Sequence, residues 1–105
     1  MKDIIEKLIK FRDERNWKQF HTPENLAKSI VLEAAELLEN FQWQKDALDV
    51  RNVKEEIADI MTYCLFMCEH YSFDVEDIIV EKMSKNAIKY PVKKSFGRYE
   101  KYNKL

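Results

Sequence analysis

Residues 29–44 read SIVLEAAELLENFQWQ, and the fold turns on this stretch. An α-helix advances about 100° per residue, so positions three or four apart share a face. At that period Ile30, Ala34, Leu37, Leu38 and Phe41 form one apolar stripe, the side expected to be buried. Glu33 falls between Ile30 and Leu37 on that surface, Glu36 borders it, and Glu39 follows three residues later. A carboxylate so close to a core needs a cation, a proton or water. A second apolar stretch, residues 53–69, repeats the pattern: Glu56 and Asp59 are three apart, close to Val53, Ile57 and Ile60. Four carboxylates on two helices, without an equal set of Lys or Arg among them, fit a divalent metal site. They also fit a solvated acidic face, and spacing alone leaves both open.

Around these two helices the chain supplies start and stop signals. A first helix is expected over residues 3–16, with Ile4, Ile5, Leu8, Ile9 and Phe11 as its stripe. WKQFH (17–21) is an aromatic connection without helical period. Thr22-Pro23-Glu24 is a start signal, with Thr as N-cap, Pro at the first position and an acid in the first turn, so helix two runs from 23 to 41. Residues 42–51 hold Trp43 and Leu48 among charges, with room for a short helical turn. Asn52 with Glu55 resembles a capping box and opens helix three, whose inner positions are Val53, Ile57, Ile60, Met61, Cys64, Leu65 and Cys68. Asp74 caps helix four, which ends near Tyr90 because of Pro91. No run alternates strongly enough to read as a strand. The expected class is all-α: an antiparallel four-helix bundle that oligomerises through helix packing. Residues 1–92 form the domain, and 93–105 a basic, irregular tail.

Length and composition bound what this bundle can be. A chain of 105 residues has room for one core, and 46% hydrophobic with 35% charged residues is too apolar for a disordered chain. No stretch of about 18 apolar residues is present, and the amphipathic start MKDIIEKLIK does not resemble a signal peptide, so the cytoplasm is the expected compartment. Cys64 and Cys68 read as reduced core thiols rather than a disulfide or zinc site, since His21 and His70 lack ligand spacing. The net charge of −1 hides an asymmetry. Residues 1–81 carry 10 basic and 18 acidic side chains, whereas residues 82–105 carry 8 basic and one acidic. The tail could bind nucleic acid, or it could deliver anion-binding groups to a metal site in the body.

The oxygens of Glu and Asp are hard ligands suited to Mg²⁺ or Mn²⁺. The pattern Glu33-x-x-Glu36, 19 intervening residues, then Glu56-x-x-Asp59 resembles the E-x-x-E…E-x-x-D signature of the MazG-like all-α nucleotide pyrophosphohydrolases. FRDERNWKQFH (11–21), Pro23, Asn25, Leu26, ENFQW (39–43) and KMSKNAIKYP (82–91) resemble the dCTP pyrophosphatase branch of that superfamily. The likeness spans about residues 5–95. It implies a homo-oligomer, a tetramer in preference to a dimer, that hydrolyses a nucleoside triphosphate to monophosphate and pyrophosphate with Mg²⁺.

The same likeness places Glu33, Glu36, Glu56 and Asp59 at metal positions, with water activation assigned to a glutamate of that set; Glu33 and Glu36 are the catalytic candidates. It implies phosphate contacts from Lys82, Asn86, Lys89 and Tyr90, which otherwise read as a surface lysine face. Tyr63, one turn after Asp59, is placed to reach sugar or phosphate, or else packs. Trp17, His21 and Trp43 are candidates for base stacking and hydrogen bonding, although tryptophan is commonly core. Leu32 and Ala35 stand where the family often has glycine, and the loop between Trp43 and Asn52 is short, which leaves the base preference open. The expected substrate is dCTP or a modified pyrimidine analogue. The alternatives are dUTP or a broad set of noncanonical nucleotides on the same fold, or a non-catalytic helical module with a nucleic-acid-binding tail.

Overall fold

The computed structural model describes residues 1–105, and its regular structure is all helical, without strands. Helix α1 spans Lys2–Glu14, α2 Pro23–Glu39, α3 Val50–His70, α4 Val75–Lys89 and α5 Val92–Ser95. Single turns of 3₁₀ helix lie at Lys18–Phe20 and Tyr102–Lys104. Two compact units result, Met1–Phe73 and Asp74–Leu105. No helix is long and apolar enough to cross a membrane.

The helix starts follow side-chain chemistry. Thr22 accepts from the Asn25 amide with Pro23 behind it, and Asp74 accepts from the Asp77 amide. Each such cap is worth about 1 kcal/mol. Helix α3 begins earlier than the expected Asn52. Asp49 is its N-cap, with Oδ1 accepting from the Arg51 and Asn52 amides, and the Asn52 side chain is turned to other partners. Residues 42–49 form bends without a helical turn. The segment expected to be irregular, 93–105, contains most of α5 and the second 3₁₀ turn.

In the first unit α2 packs chiefly on α3, and α1 also packs on α3. Contacts between α2 and α3 run in opposite senses along the two helices: Asn40 meets Asn52, Glu33 clusters with Glu56 and Asp59, and Ser29 lies beside Tyr63. The pair is therefore antiparallel. Its buried apolar side chains are few, namely Leu26, Leu65 and Phe66, and of these Leu26 alone is fully enclosed. The expected stripe on α2 is only partly covered: Ile30 and Leu37 are half-buried, whereas Ala34 and Phe41 are exposed and Leu38 is 66% exposed. Val31 and Leu32 on α2, with Ile57 and Met61 on α3, are exposed as well. Periodicity identifies an apolar face; α3 covers only part of one that wide. Cys64, expected in the core, is exposed, Cys68 is half-buried, and neither is in a disulfide.

The second unit consists of α4, α5 and the terminal turn. Its internal contacts are aromatic and cationic: Tyr102 meets Tyr90 edge to face at 6.2 Å between centroids, and Lys89 Nζ stands 5.1 Å from the centre of the Tyr102 ring.

Candidate functional site

The antiparallel contact of α2 with α3 brings Glu33, Glu56 and Asp59 together, each offering an oxygen within 4.8 Å of the others. Glu56 is buried, Glu33 half-buried and Asp59 exposed, so the cluster opens at one side. Glu33 Oε2 and Glu56 Oε2 are buried and meet no hydrogen-bond donor. Acceptor faces acceptor there, and only a proton or a cation makes such a contact favourable. The Glu33 carboxyl is accordingly pushed up to about 7, chiefly by the Glu56 carboxyl beside it, with which it would share a proton, then by burial and by Glu36 and Asp59.

No basic side chain relieves this repulsion. Arg12 pairs with Asp13 and Glu69, Lys28 with Glu24, and Arg98 with Glu100. Three oxygen donors with two orphaned buried atoms and an open side suit a hard divalent cation that keeps some of its waters. Glu36 is close enough to raise the Glu33 carboxyl but stands outside the three-acid cluster, exposed on α2. With Glu39, Asn40, Leu48, Asp49 and Asn52 it lines a shallow cavity of about 250 Å³.

Burial, then the charges of Glu33 and Asp59, raise the pKa of the Tyr63 hydroxyl, and Ser29 beside it partly offsets the rise. Tyr63 is thus a neutral hydroxyl beside the acid cluster. His21 follows, its ring 4.9 Å from Phe66 and edge to face with Tyr63 at 6.3 Å. His21 Nδ1 is buried without a partner, and burial together with the positive charge of Arg12 lowers its pKa, which favours the neutral imidazole. A cavity of about 200 Å³ adjoins it, lined in part by Arg12, Lys18, Phe66 and His70.

The remaining aromatic candidates are less enclosed. Trp17 packs edge to face on Phe11 at 5.8 Å, and Arg15 lies over both rings. Trp43, in the α2–α3 connection, is 87% exposed. Lys82, Asn86 and Lys89 are exposed on α4, and Tyr90 caps its end half-buried; all four belong to the second unit.

Two polar features escaped the sequence reading. Arg12, 3% exposed, is buried between Asp13 and Glu69 and lies over the Phe66 ring. Asn40 is also buried and hydrogen-bonds Asn52, whose amide reaches Glu56. Asn52 drew notice only as a cap, and the 57-residue separation of Arg12 from Glu69 leaves no periodic signal.

A model of the MazG-like family matches residues 28–105. The dCTP pyrophosphatase 1 of Rattus norvegicus is 33% identical over the whole chain, which covers 67% of that relative. That of Bos taurus is 35% identical, likewise over the whole chain and 68% of the relative. The crystal structure of a pyrophosphatase from Archaeoglobus fulgidus DSM 4304 superposes with a TM-score of 0.81 at 41% identity, over 87% of this chain and 92% of that one. The chain belongs to the MazG-like family and stands among its nucleotide pyrophosphohydrolases.

Proposed function

We propose that this protein is a Mg²⁺-dependent hydrolase that converts a (deoxy)nucleoside triphosphate, dCTP or a modified pyrimidine analogue, to the monophosphate and pyrophosphate. The observation that carries the reading is the cluster of Glu33, Glu56 and Asp59 with two buried oxygens that no donor satisfies. The relatives named dCTP pyrophosphatase 1 support the choice of base.

Glu33, Glu36, Glu56 and Asp59 are the residues that would hold the cation, Mg²⁺ or alternatively Mn²⁺. When bound, it supplies positive charge opposite the triphosphate oxygens. Water attacks the α-phosphorus, the α–β anhydride bond breaks, and pyrophosphate departs with the bonding electrons. Glu33 and Glu36 are the carboxylates assigned to receive the proton of that water. A carboxylate of that set takes the proton of the attacking water and returns it to solvent after the products leave.

Neutral His21 offers a hydrogen bond to the base, Trp17 and Trp43 offer rings to stack on it, and Tyr63 offers its hydroxyl to the sugar or phosphate. Lys82, Asn86, Lys89 and Tyr90 are assigned to the phosphates. The domain is taken as residues 1–92 in a four-helix bundle, with 93–105 as a basic tail, and the subunit as part of a homo-oligomer, a tetramer before a dimer. The uncovered apolar residues Val31, Leu32 and Leu38 support assembly. The compartment is taken as the cytoplasm.

The test is pyrophosphate release from a panel of canonical and modified nucleoside triphosphates, with Mg²⁺ and with chelator. Metal-dependent release from dCTP or its analogues, with monophosphate as co-product, is expected. Release from dUTP or purine nucleotides instead would discard the cytosine assignment and keep the reaction. Absence of turnover by the folded protein would overturn the reading.

A further inference from the structure

We infer that Asn40 and Asn52 act as a positioning relay that fixes which oxygen of Glu56 is presented to the cation. The inference rests on reading the acid cluster as a metal centre and deepens it by two residues outside the cluster. Asn40 lies at the end of α2, 5% exposed, so its amide group has to find partners within the protein.

A backbone amide sets the direction of the relay. The Asp49 N–H can only donate, and it meets Asn40 Oδ1 at 3.1 Å. That contact fixes which end of the Asn40 side chain is oxygen and turns its NH₂ group the other way. Asn40 Nδ2 then donates to Asn52 Oδ1 at 2.9 Å, with a weaker 3.4 Å bond to the Leu37 carbonyl. With its oxygen committed, Asn52 presents Nδ2 to Glu56 Oε1 at 3.4 Å. Every donor in the series points towards Glu56, and hydrogen bonds aligned in this way polarise one another.

Glu56 is 7% exposed, and its two oxygens receive unequal treatment. Oε1 accepts from Asn52, while Oε2 has no donor at all. The relay therefore holds the carboxylate by one oxygen and leaves the other for the cluster with Glu33 and Asp59. A hydroxyl could rotate to suit any partner, and a carboxylate could not donate. Two amides in series are a chemically economical way to carry a fixed polarity from a helix cap to a metal ligand. Loss of an outer partner of a metal ligand typically weakens metal binding by about 10–100-fold.

The deciding experiment is the Mn²⁺ dissociation constant, read from the electron paramagnetic resonance signal of free Mn²⁺, for wild type, Asn52→Ala and Asn40→Asp. Alanine suits a helical position, so α3 should persist in Asn52→Ala, with helicity checked by circular dichroism. Asn40→Asp keeps an oxygen for the Asp49 amide and removes the N–H that donates to Asn52 Oδ1; it decides the matter if Asn52→Ala loses helix. Binding weaker by about 10-fold in either folded variant, with nucleotide KM at saturating Mn²⁺ unchanged, is the expected result. A merely structural relay would lower helicity and leave the Mn²⁺ affinity of the folded protein alone. Folded variants that bind Mn²⁺ as tightly as wild type overturn the relay and leave the metal centre standing. A wild type that binds no Mn²⁺ overturns both.

Discussion

The contact of α1 with α3 and the contact of α2 with α3 each bury a charged side chain, and they treat it in opposite ways. Arg12 is enclosed and its guanidinium is answered at once, by Asp13 on one edge and Glu69 on the other, each at 2.9 Å. Glu56 is enclosed almost as fully, yet its partners are a neutral amide and other carboxyls. A buried charge with its counterion supplied by the chain is complete as it stands. One that lacks a counterion, and whose neighbours are of like sign, marks a place where something from solution belongs. The same helix α3 carries both, Glu69 on one side of the ledger and Glu56 on the other.

The largest expected effect breaks the incomplete side. If Glu56 holds the cation as proposed, Glu56→Gln should cost several kcal/mol of transition-state stabilisation, about a thousandfold in kcat/KM. The metal-free protein should fold at least as stably, because a repulsion has been removed. A Glu56→Gln enzyme with wild-type Mg²⁺-dependent turnover would refute the site. Arg12→Ala should do the reverse: about 3 kcal/mol less stability in urea titration, with Mn²⁺ affinity unchanged while folded. If Arg12→Ala unfolds at the wild-type urea concentration, the contrast between the two buried charges is empty.

Smaller effects sharpen it. Trp43 is so exposed that Trp43→Ala should move stability by less than about 0.5 kcal/mol. Loss of base stacking should nevertheless raise the nucleotide KM by about 1–2 kcal/mol, or 5–30-fold. A KM that stays put would reassign that ring to an assembly surface.

The pH dependence is smaller and has a definite sign. The folded state holds the Glu33 proton to about 7, against 4.5 for the ordinary carboxyl. This favours the metal-free folded state fully below the ordinary value, and the contribution is lost as pH rises towards about 7. Mn²⁺ affinity should run the other way, rising about tenfold between about pH 6 and pH 8, with close to one proton released per ion at the acid end. A flat affinity across that interval would show that Glu33 does not carry the proton.

The helices were largely legible in the sequence because their punctuation is local. Thr22-Pro23 and Asp74 are capping chemistry that any reader of the chain can find. The start of α3 was misread by three residues because Asn52 imitates a cap while Asp49 performs the capping. The acid spacing was legible too, and so was the placing of Glu33 and Glu56 among apolar neighbours on their helices. Why Glu33 and not Glu36 joins the three-acid cluster was not, since three residues of helix leave about 60° between them and only the packing angle of α2 on α3 resolves it. Arg12 with Glu69 and Asn40 with Asn52 were invisible for a related reason: each pair is made by tertiary contact between residues that no period connects.

Leu26, Leu65 and Phe66 are a small complement of buried apolar side chains for a chain of 105 residues. A fold with so little internal margin leans on whatever binds it. By mass action, a ligand present at a hundred times its dissociation constant adds about 2.7 kcal/mol, and each kcal/mol moves the melting temperature of a domain this size by about 4–8 °C. With a chain this short, such binding makes the protein a sensitive thermal reporter. A melting curve recorded against divalent ions, nucleotides and its own concentration should rank the partners of this chain before any product is assayed.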